Sequence, residues 1–86
     1  MNISKQEQRV LHVLAQGGQI RFERGSNGKL LEVGCFTHDG MLLSDCTITV
    51  VSKLRRKRLI ESRHSAPYRI SALGRRSVRS QVNNRT

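Results

Sequence analysis

Residues 44–74, SDCTITVVSKLRRKRLIESRHSAPYRISALG, decide the fold of this chain. Ser44 or Asp45 stands where a side-chain oxygen caps a helix, and the apolar spacing predicts that helix over about residues 45–57. On a helical wheel Thr47, Ile48, Val50, Val51 and Leu54 cover one side, while Asp45, Thr49, Ser52, Lys53, Arg56 and Lys57 cover the other. The β-branched run lowers intrinsic helix propensity. The amphipathic pattern outweighs it, because packing of an apolar face supplies most helix stability in a folded protein. Leu59-Ile60-Glu61-Ser62-Arg63 then begins a strand, His64-Ser65-Ala66-Pro67 turns, and Tyr68-Arg69-Ile70 returns. Ser71 caps a last helix of about residues 72–82, whose apolar positions Leu73, Val78 and Val82 are sparse and which Gly74 weakens.

An amphipathic helix, then Leu54, Lys57, Leu59 and Ile60, then a short hairpin, then Ile70-Ser71-x-x-Gly74, resembles the recognition helix and wing of winged-helix proteins. Working back toward the N-terminus, Ser4-Lys5-Gln6-Glu7 reads as a capping box. It opens a helix over 5–16 with Val10, Leu11, Val13 and Leu14 on one side, and Gly17-Gly18 ends it. Alternating residues 19–24 and 30–37 flank Asn27-Gly28, which predicts a β-hairpin. His38-Asp39-Gly40 is a loop, and the apolar Met41-Leu42-Leu43 is expected to return to the core. The fold class is therefore α+β, a small winged-helix-like domain in the order α-β-β-α-β-β-α. With 86 residues, one domain over residues 1–86 is expected, its last four, 83–86, a frayed tail.

Net charge is +10 and unevenly placed. Residues 1–43 carry five basic and four acidic side chains, whereas residues 44–86 carry eleven basic and two acidic ones, a balance of +1 against +9. The second half is suited to an anionic partner. The residues expected to meet it are Thr49, Ser52, Lys53, Arg56 and Lys57 on the helix, with Arg63 and Arg69 on the hairpin. Against double-stranded DNA, six to eight neutralised phosphates would give a log–log salt slope of roughly −5 to −7. Two readings compete with this. A basic helix side is often only a solvated surface. In addition, a helix-turn-helix packs a helix just before its recognition helix, and here that place holds the 19–37 hairpin and Met41-Leu42-Leu43.

Other chemistries find little support. Cys35, His38 and Cys46 do not match the paired spacing of a zinc site, and His12 and His64 lie far off in sequence, so two core thiols and three surface histidines are expected. Gly25-Ser26-Asn27-Gly28 lacks the Gly-Lys-Ser/Thr ending of a phosphate loop. The six acidic residues are scattered rather than clustered for a catalytic metal. Phe22, Phe36 and Tyr68 are too few for a single-strand stacking platform. No enzyme activity and no cofactor are expected. No stretch has the length of a membrane helix and the polar Met1 to Gln8 is no signal peptide, so a cytoplasmic location is expected.

The whole chain, from Ser4 to about Arg85, resembles the YjhX toxin family of bacteria. The likeness is carried by Lys5-Gln6-Glu7-Gln8-Arg9, Leu11-His12-Val13-Leu14-Ala15, Gly17-Gly18, Ser44-Asp45-Cys46-Thr47, Lys57-Arg58-Leu59-Ile60 and Pro67-Tyr68-Arg69-Ile70. The resemblance implies a small cytoplasmic toxin of a toxin–antitoxin pair. It further implies inhibition of DNA topoisomerase I and an acetyltransferase-like antitoxin. A DNA-binding protein or transcriptional regulator stands as the alternative.

Overall fold

The computed structural model describes the backbone of residues 2–83 and the side chains of residues 2–78; the expected tail lies, apart from Asn83, outside the described residues. The architecture is α+β with three helices and antiparallel strands. The first helix, α1, spans Lys5–Ala15 and opens on the expected capping box: Ser4 Oγ accepts from the Glu7 N–H at 3.1 Å, and Glu7 Oε1 accepts from the Ser4 N–H at 3.0 Å. It ends in a Schellman motif. The Gly18 N–H donates to Val13 O and the Gly17 N–H to Leu14 O, with Gly17 at φ +100°.

Strands β1 (Gln19–Arg24) and β2 (Leu30–Phe36) form the predicted hairpin, with Ile20 opposite Cys35 and Phe22 opposite Val33. A third strand, β3 (Leu42–Leu43), pairs antiparallel with Cys35 and Phe36. The expected order lacked it, and the observed order is α-β-β-β-α-β-β-α. This strand also corrects the expectation that Met41-Leu42-Leu43 returns whole to the core. Successive strand side chains point to opposite faces. Leu43 turns toward the core while Leu42 and Met41 remain 64% and 66% exposed.

Helix α2 spans Ile48–Arg56, later and shorter than expected. Its cap is Thr47, whose Oγ1 accepts from the Val50 N–H at 3.2 Å, rather than Ser44 or Asp45. Asp45 instead pairs with Arg9 on α1. Starting there, the helix buries Val50, Val51 and Leu54, and leaves Thr47 and Ile48 outside the core. A second Schellman motif closes it, with Leu59 N–H on Leu54 O and Arg58 N–H on Arg55 O. Here the left-handed position is held by Arg58, at φ +62°, where glycine is usual.

Strands β4 (Ile60–Glu61) and β5 (Arg69–Ile70) are shorter than predicted. Between them His64 and Ser65 both have positive φ, and the Ala66 N–H returns to Arg63 O at 3.0 Å, which makes a type I′ turn. Ile20 and Tyr68 exchange backbone bonds at 3.0 and 2.8 Å, stitching the two sheets together. Helix α3 spans Ala72–Asn83 and is capped by Ser71 as expected. The Ser71 hydroxyl accepts from the Gly74 N–H at 3.0 Å and donates to Arg58 O at 2.7 Å, tying the end of α2 to the start of α3. Gly74 earns its place by contact: a Cβ there would lie 2.3 Å from Leu59 O.

The core gathers Val10, Leu11 and Leu14 from α1, Ile20 and Cys35 from the sheet, the three α2 residues, and Leu59, Ile60, Tyr68 and Ile70 behind them. In the segment before α2, where a helix-turn-helix carries a helix, stand β3 and a turn at Ser44-Asp45. No helix among the described residues is long and apolar enough to cross a membrane.

Candidate partner-binding surface

Burying Val50, Val51 and Leu54 forces the other side of α2 outward. Thr49, Lys53 and Arg56 are exposed there and Ser52 is half-buried. Their spacing at i, i+3, i+4 and i+7 puts them on one strip of helix surface. Neither Lys53 nor Arg56 has a hydrogen bond or ion pair among the described residues, so both charges are free to meet a partner. Arg63 leads into the I′ turn. Its guanidinium stands 3.8 Å from Glu61, with the side chain 82% exposed, which is a solvent-screened contact of little energetic weight.

Two residues placed on this surface by the sequence pattern are elsewhere. Lys57 lies one residue past the end of α2, and its ammonium turns inward to Glu7, 2.8 Å from Oε2 and 3.1 Å from Oε1, and to Asn2 O at 2.6 Å. Glu7 is almost fully buried at 2% exposure. Burial pushes its carboxyl up. The hydrogen bond from Lys57, the Ser4 backbone and side chain, and the Lys57 charge together outweigh burial, and the carboxyl sits below its ordinary range. Lys57 still has helical φ/ψ, and at three residues after Leu54 and seven after Val50 it lies on the inward side of the helix, so its assignment to the outward side does not follow from the periodicity.

Arg69 likewise faces away from α2. Its Nη1 donates to Gly17 O at 3.2 Å and Gly18 O at 3.4 Å, across the end of α1. The surface that remains is Thr49, Ser52, Lys53 and Arg56, with Arg63 on the hairpin turn.

Sequence reasoning missed two arginines near this surface. Arg55 and Arg24 line a groove of about 300 Å³ with Phe22, Ser62, Ser65 and Tyr68. Arg24 is held by the Tyr68 hydroxyl at 2.9 Å, by Gly28 O at 2.8 Å, and over the Phe22 ring at 5.1 Å. Only the pairing of Ile20 with Tyr68 brings these residues together, and that contact leaves no periodic signal in the sequence.

No group of three or more His, Cys, Asp or Glu side chains among the described residues could hold a metal ion. Cys35 is buried and Cys46 half-buried, both as free thiols.

Residues 1–85 match the model of the YjhX toxin family, described as "Putative toxin of bacterial toxin-antitoxin pair". The chain is similar to a UPF0386 protein of Beijerinckia indica, 67% identical over 85 residues that cover 99% of this chain and 100% of that one. It is 65% identical to a UPF0386 protein of Brucella anthropi and 62% identical to one of Ruegeria sp., with the same coverage in both cases. No solved structure gives a significant match.

Proposed function

Because the chain belongs to the YjhX toxin family, we propose that it is a cytoplasmic, non-enzymatic toxin that binds and inhibits bacterial DNA topoisomerase I and is held in check by an acetyltransferase-like antitoxin. The family match over residues 1–85 carries the toxin reading. The choice of target rests on the resemblance together with the charge of the outward side of α2. An enzyme that grips DNA and an acidic surface that mimics DNA both select unpaired cations on a protruding helix. Lys53 and Arg56 have that character, with Arg63 beside the following turn. Docking there would compete with DNA for the enzyme, or block its closure, without any bond being made or broken in this chain.

A relaxation assay with purified topoisomerase I and supercoiled plasmid tests the proposal. Relaxation should slow with increasing protein and recover when the antitoxin is added. An unchanged rate at large molar excess rejects it.

A second reading has its own observation in favour. An amphipathic helix followed by a hairpin with Arg63 at its turn resembles the recognition helix and wing of a winged-helix DNA-binding protein, although β3 and a turn stand where such a protein has a preceding helix. Since Lys57 and Arg69 are engaged elsewhere, three or four cations remain for phosphate. The expected log–log salt slope for duplex DNA falls to about −3 to −4. Fluorescence anisotropy over a salt series measures it. Loss of DNA binding with retained topoisomerase inhibition in K53Q/R56Q would decide for the protein–protein route.

A further inference from the structure

The outer face of the three-stranded sheet holds a second basic feature that shares no residue with the outward side of α2. A groove of about 500 Å³ runs between the end of α1, the sheet and β5. Its walls include Gln19, Arg21, Phe36, Thr37, His38 and Arg69. We propose that this groove binds a small phosphomonoester, with Arg21 and Arg69 gripping the phosphate and His38 at its edge.

Each of the two guanidinium groups is held by its neighbours. Arg21 stands opposite Gly34 in the β1–β2 ladder. Gly34 has no side chain, so the Phe36 ring lies down over it; a Cβ at Gly34 would come within 3.1 Å of Phe36 Cε1. The Arg21 guanidinium then rests on that ring, 4.9 Å from its centroid. Stacking fixes the plane of the fork without using its N–H donors. No hydrogen bond or ion pair engages Arg21 among the described residues. Its donors are oriented and unspent.

Arg69 is fixed differently, through Nη1 on the carbonyls of Gly17 and Gly18. Its strand neighbour across the ladder is Glu61, but the ion pair of Glu61 is with Arg63. The Arg69 charge therefore has no carboxylate partner among the described residues. His38 packs against Gly17, where a Cβ would meet its Cδ2 at 3.1 Å. The nearest acidic residue in sequence, Asp39, accepts from the Thr37 hydroxyl, and no carboxylate among the described residues lines the groove.

Two held guanidinium forks and an imidazole, with no carboxylate among the described lining residues, select an oxyanion. The volume is larger than phosphate alone requires and falls in the range of small-ligand sites. The remaining space, walled by Gln19, Thr37 and the edge of Phe36, suits an uncharged organic body joined to the phosphate. A concave site of this kind admits a small molecule rather than a duplex.

The test is an amide and arginine side-chain NMR titration of the full chain with inorganic phosphate, with AMP and with a short single-stranded oligonucleotide, against sodium chloride of matched ionic strength. Saturable shifts from phosphate and AMP, confined to residues 17–21, 36–40 and 69, are expected, with AMP the tighter. R21Q should weaken AMP by about tenfold or more, the cost of removing hydrogen bonds to a charged group. R69Q should weaken it too, and K53Q/R56Q should leave it unchanged. The thermal midpoint of R21Q establishes that it folds, and R21K, which keeps the charge but loses the fork, should bind between R21Q and the wild type. Shifts that follow ionic strength alone, equal weakening by K53Q/R56Q, or binding by the oligonucleotide with AMP inert would each overturn the assignment. None of these outcomes bears on topoisomerase inhibition, which is read in a separate assay.

Discussion

Lys57 Nζ lies 2.8 Å from Glu7 Oε2, so the residue that follows the last turn of α2 is bound to the first turn of α1. The same carboxylate closes the capping box of α1. One buried charge therefore serves both the start of α1 and a tie to the end of α2. Its partner is only 28% exposed, so solvent screens the pair weakly.

This pairing sets an acid limit on stability. The folded Glu7 carboxyl titrates below its ordinary 4.5. A carboxyl depressed by folding contributes stability that is complete above its unfolded value and is lost as pH falls through its folded value. Stability should hold from neutrality to about pH 5 and decline below pH 4.5. In E7Q the part of that decline owed to this group should vanish. Urea unfolding at pH 7, 5, 4 and 3 measures it. An acid limb of equal steepness in E7Q would refute the assignment.

Lys57 and its neighbours on α2 should separate cleanly by phenotype. Lys57→Met leaves Glu7 buried and unpaired and should cost about 3 kcal/mol. K53Q/R56Q removes two solvated charges and should leave the thermal midpoint nearly unchanged, within about 0.5 kcal/mol. Partner binding should reverse that order, with K53Q/R56Q weakened strongly. Calorimetry beside the relaxation assay shows both. If Lys57→Met kept full stability and lost binding as K53Q/R56Q does, Lys57 would belong to the surface after all.

How much of this could be read beforehand depended on whether the signal was local. The capping box, Gly17-Gly18, the 19–37 hairpin and the Ser71 cap are each encoded within a few residues, and each is where the pattern placed it. The α2 cap went astray because Ser44, Asp45 and Thr47 are all acceptable caps, and only the pairing of Asp45 with Arg9 leaves Thr47 to act. The inward direction of Lys57 is legible from its spacing to Leu54 and Val50, but the partners of Lys57 and Arg69 are not. Their charges answer to Glu7 and to the end of α1, 50 and 52 residues away in sequence. The groove at Arg21 depends on Gly34 and Phe36 meeting it across a ladder, which alternation alone does not single out.

The α2 terminus carries strain that can be relieved. Arg58 occupies the left-handed position of the Schellman motif at φ +62°, where an L side chain costs about 1–2 kcal/mol. Arg58→Gly removes that cost and gives part of it back through the freer unfolded chain. A net gain of about 0.5–1 kcal/mol is expected, since the Leu59–Leu54 and Arg58–Arg55 backbone bonds are retained. Gly17→Ala, which makes the opposite change at the matching position of α1, should destabilise. Paired denaturation curves test the two together, and a loss of stability in Arg58→Gly would mean that the arginine side chain makes a contact that outweighs its backbone.

The two thiols should be slow to react. Cys35 is fully buried on β2; its hydrogen bond with Cys46 lowers its thiol from the ordinary range, so its expected inertness rests on burial away from the reagent. The half-buried Cys46 thiol is pushed well above the ordinary range, first by its hydrogen bond with Cys35 and then by burial. Since the thiolate is the nucleophile, the raised Cys46 value leaves little of its reactive form at pH 8. Alkylation of the native protein by iodoacetamide at that pH should run at least about tenfold slower than for an unstructured cysteine peptide, and denaturant should restore the peptide rate. Cys46→Ser removes the hydrogen-bonded thiol partner but not the burial of Cys35, so Cys35 should stay unreactive in that variant. Either thiol reacting at the peptide rate in the folded chain would show that β2 and the segment before α2 open on the timescale of the labelling, which the packing of Cys46 against the core argues against.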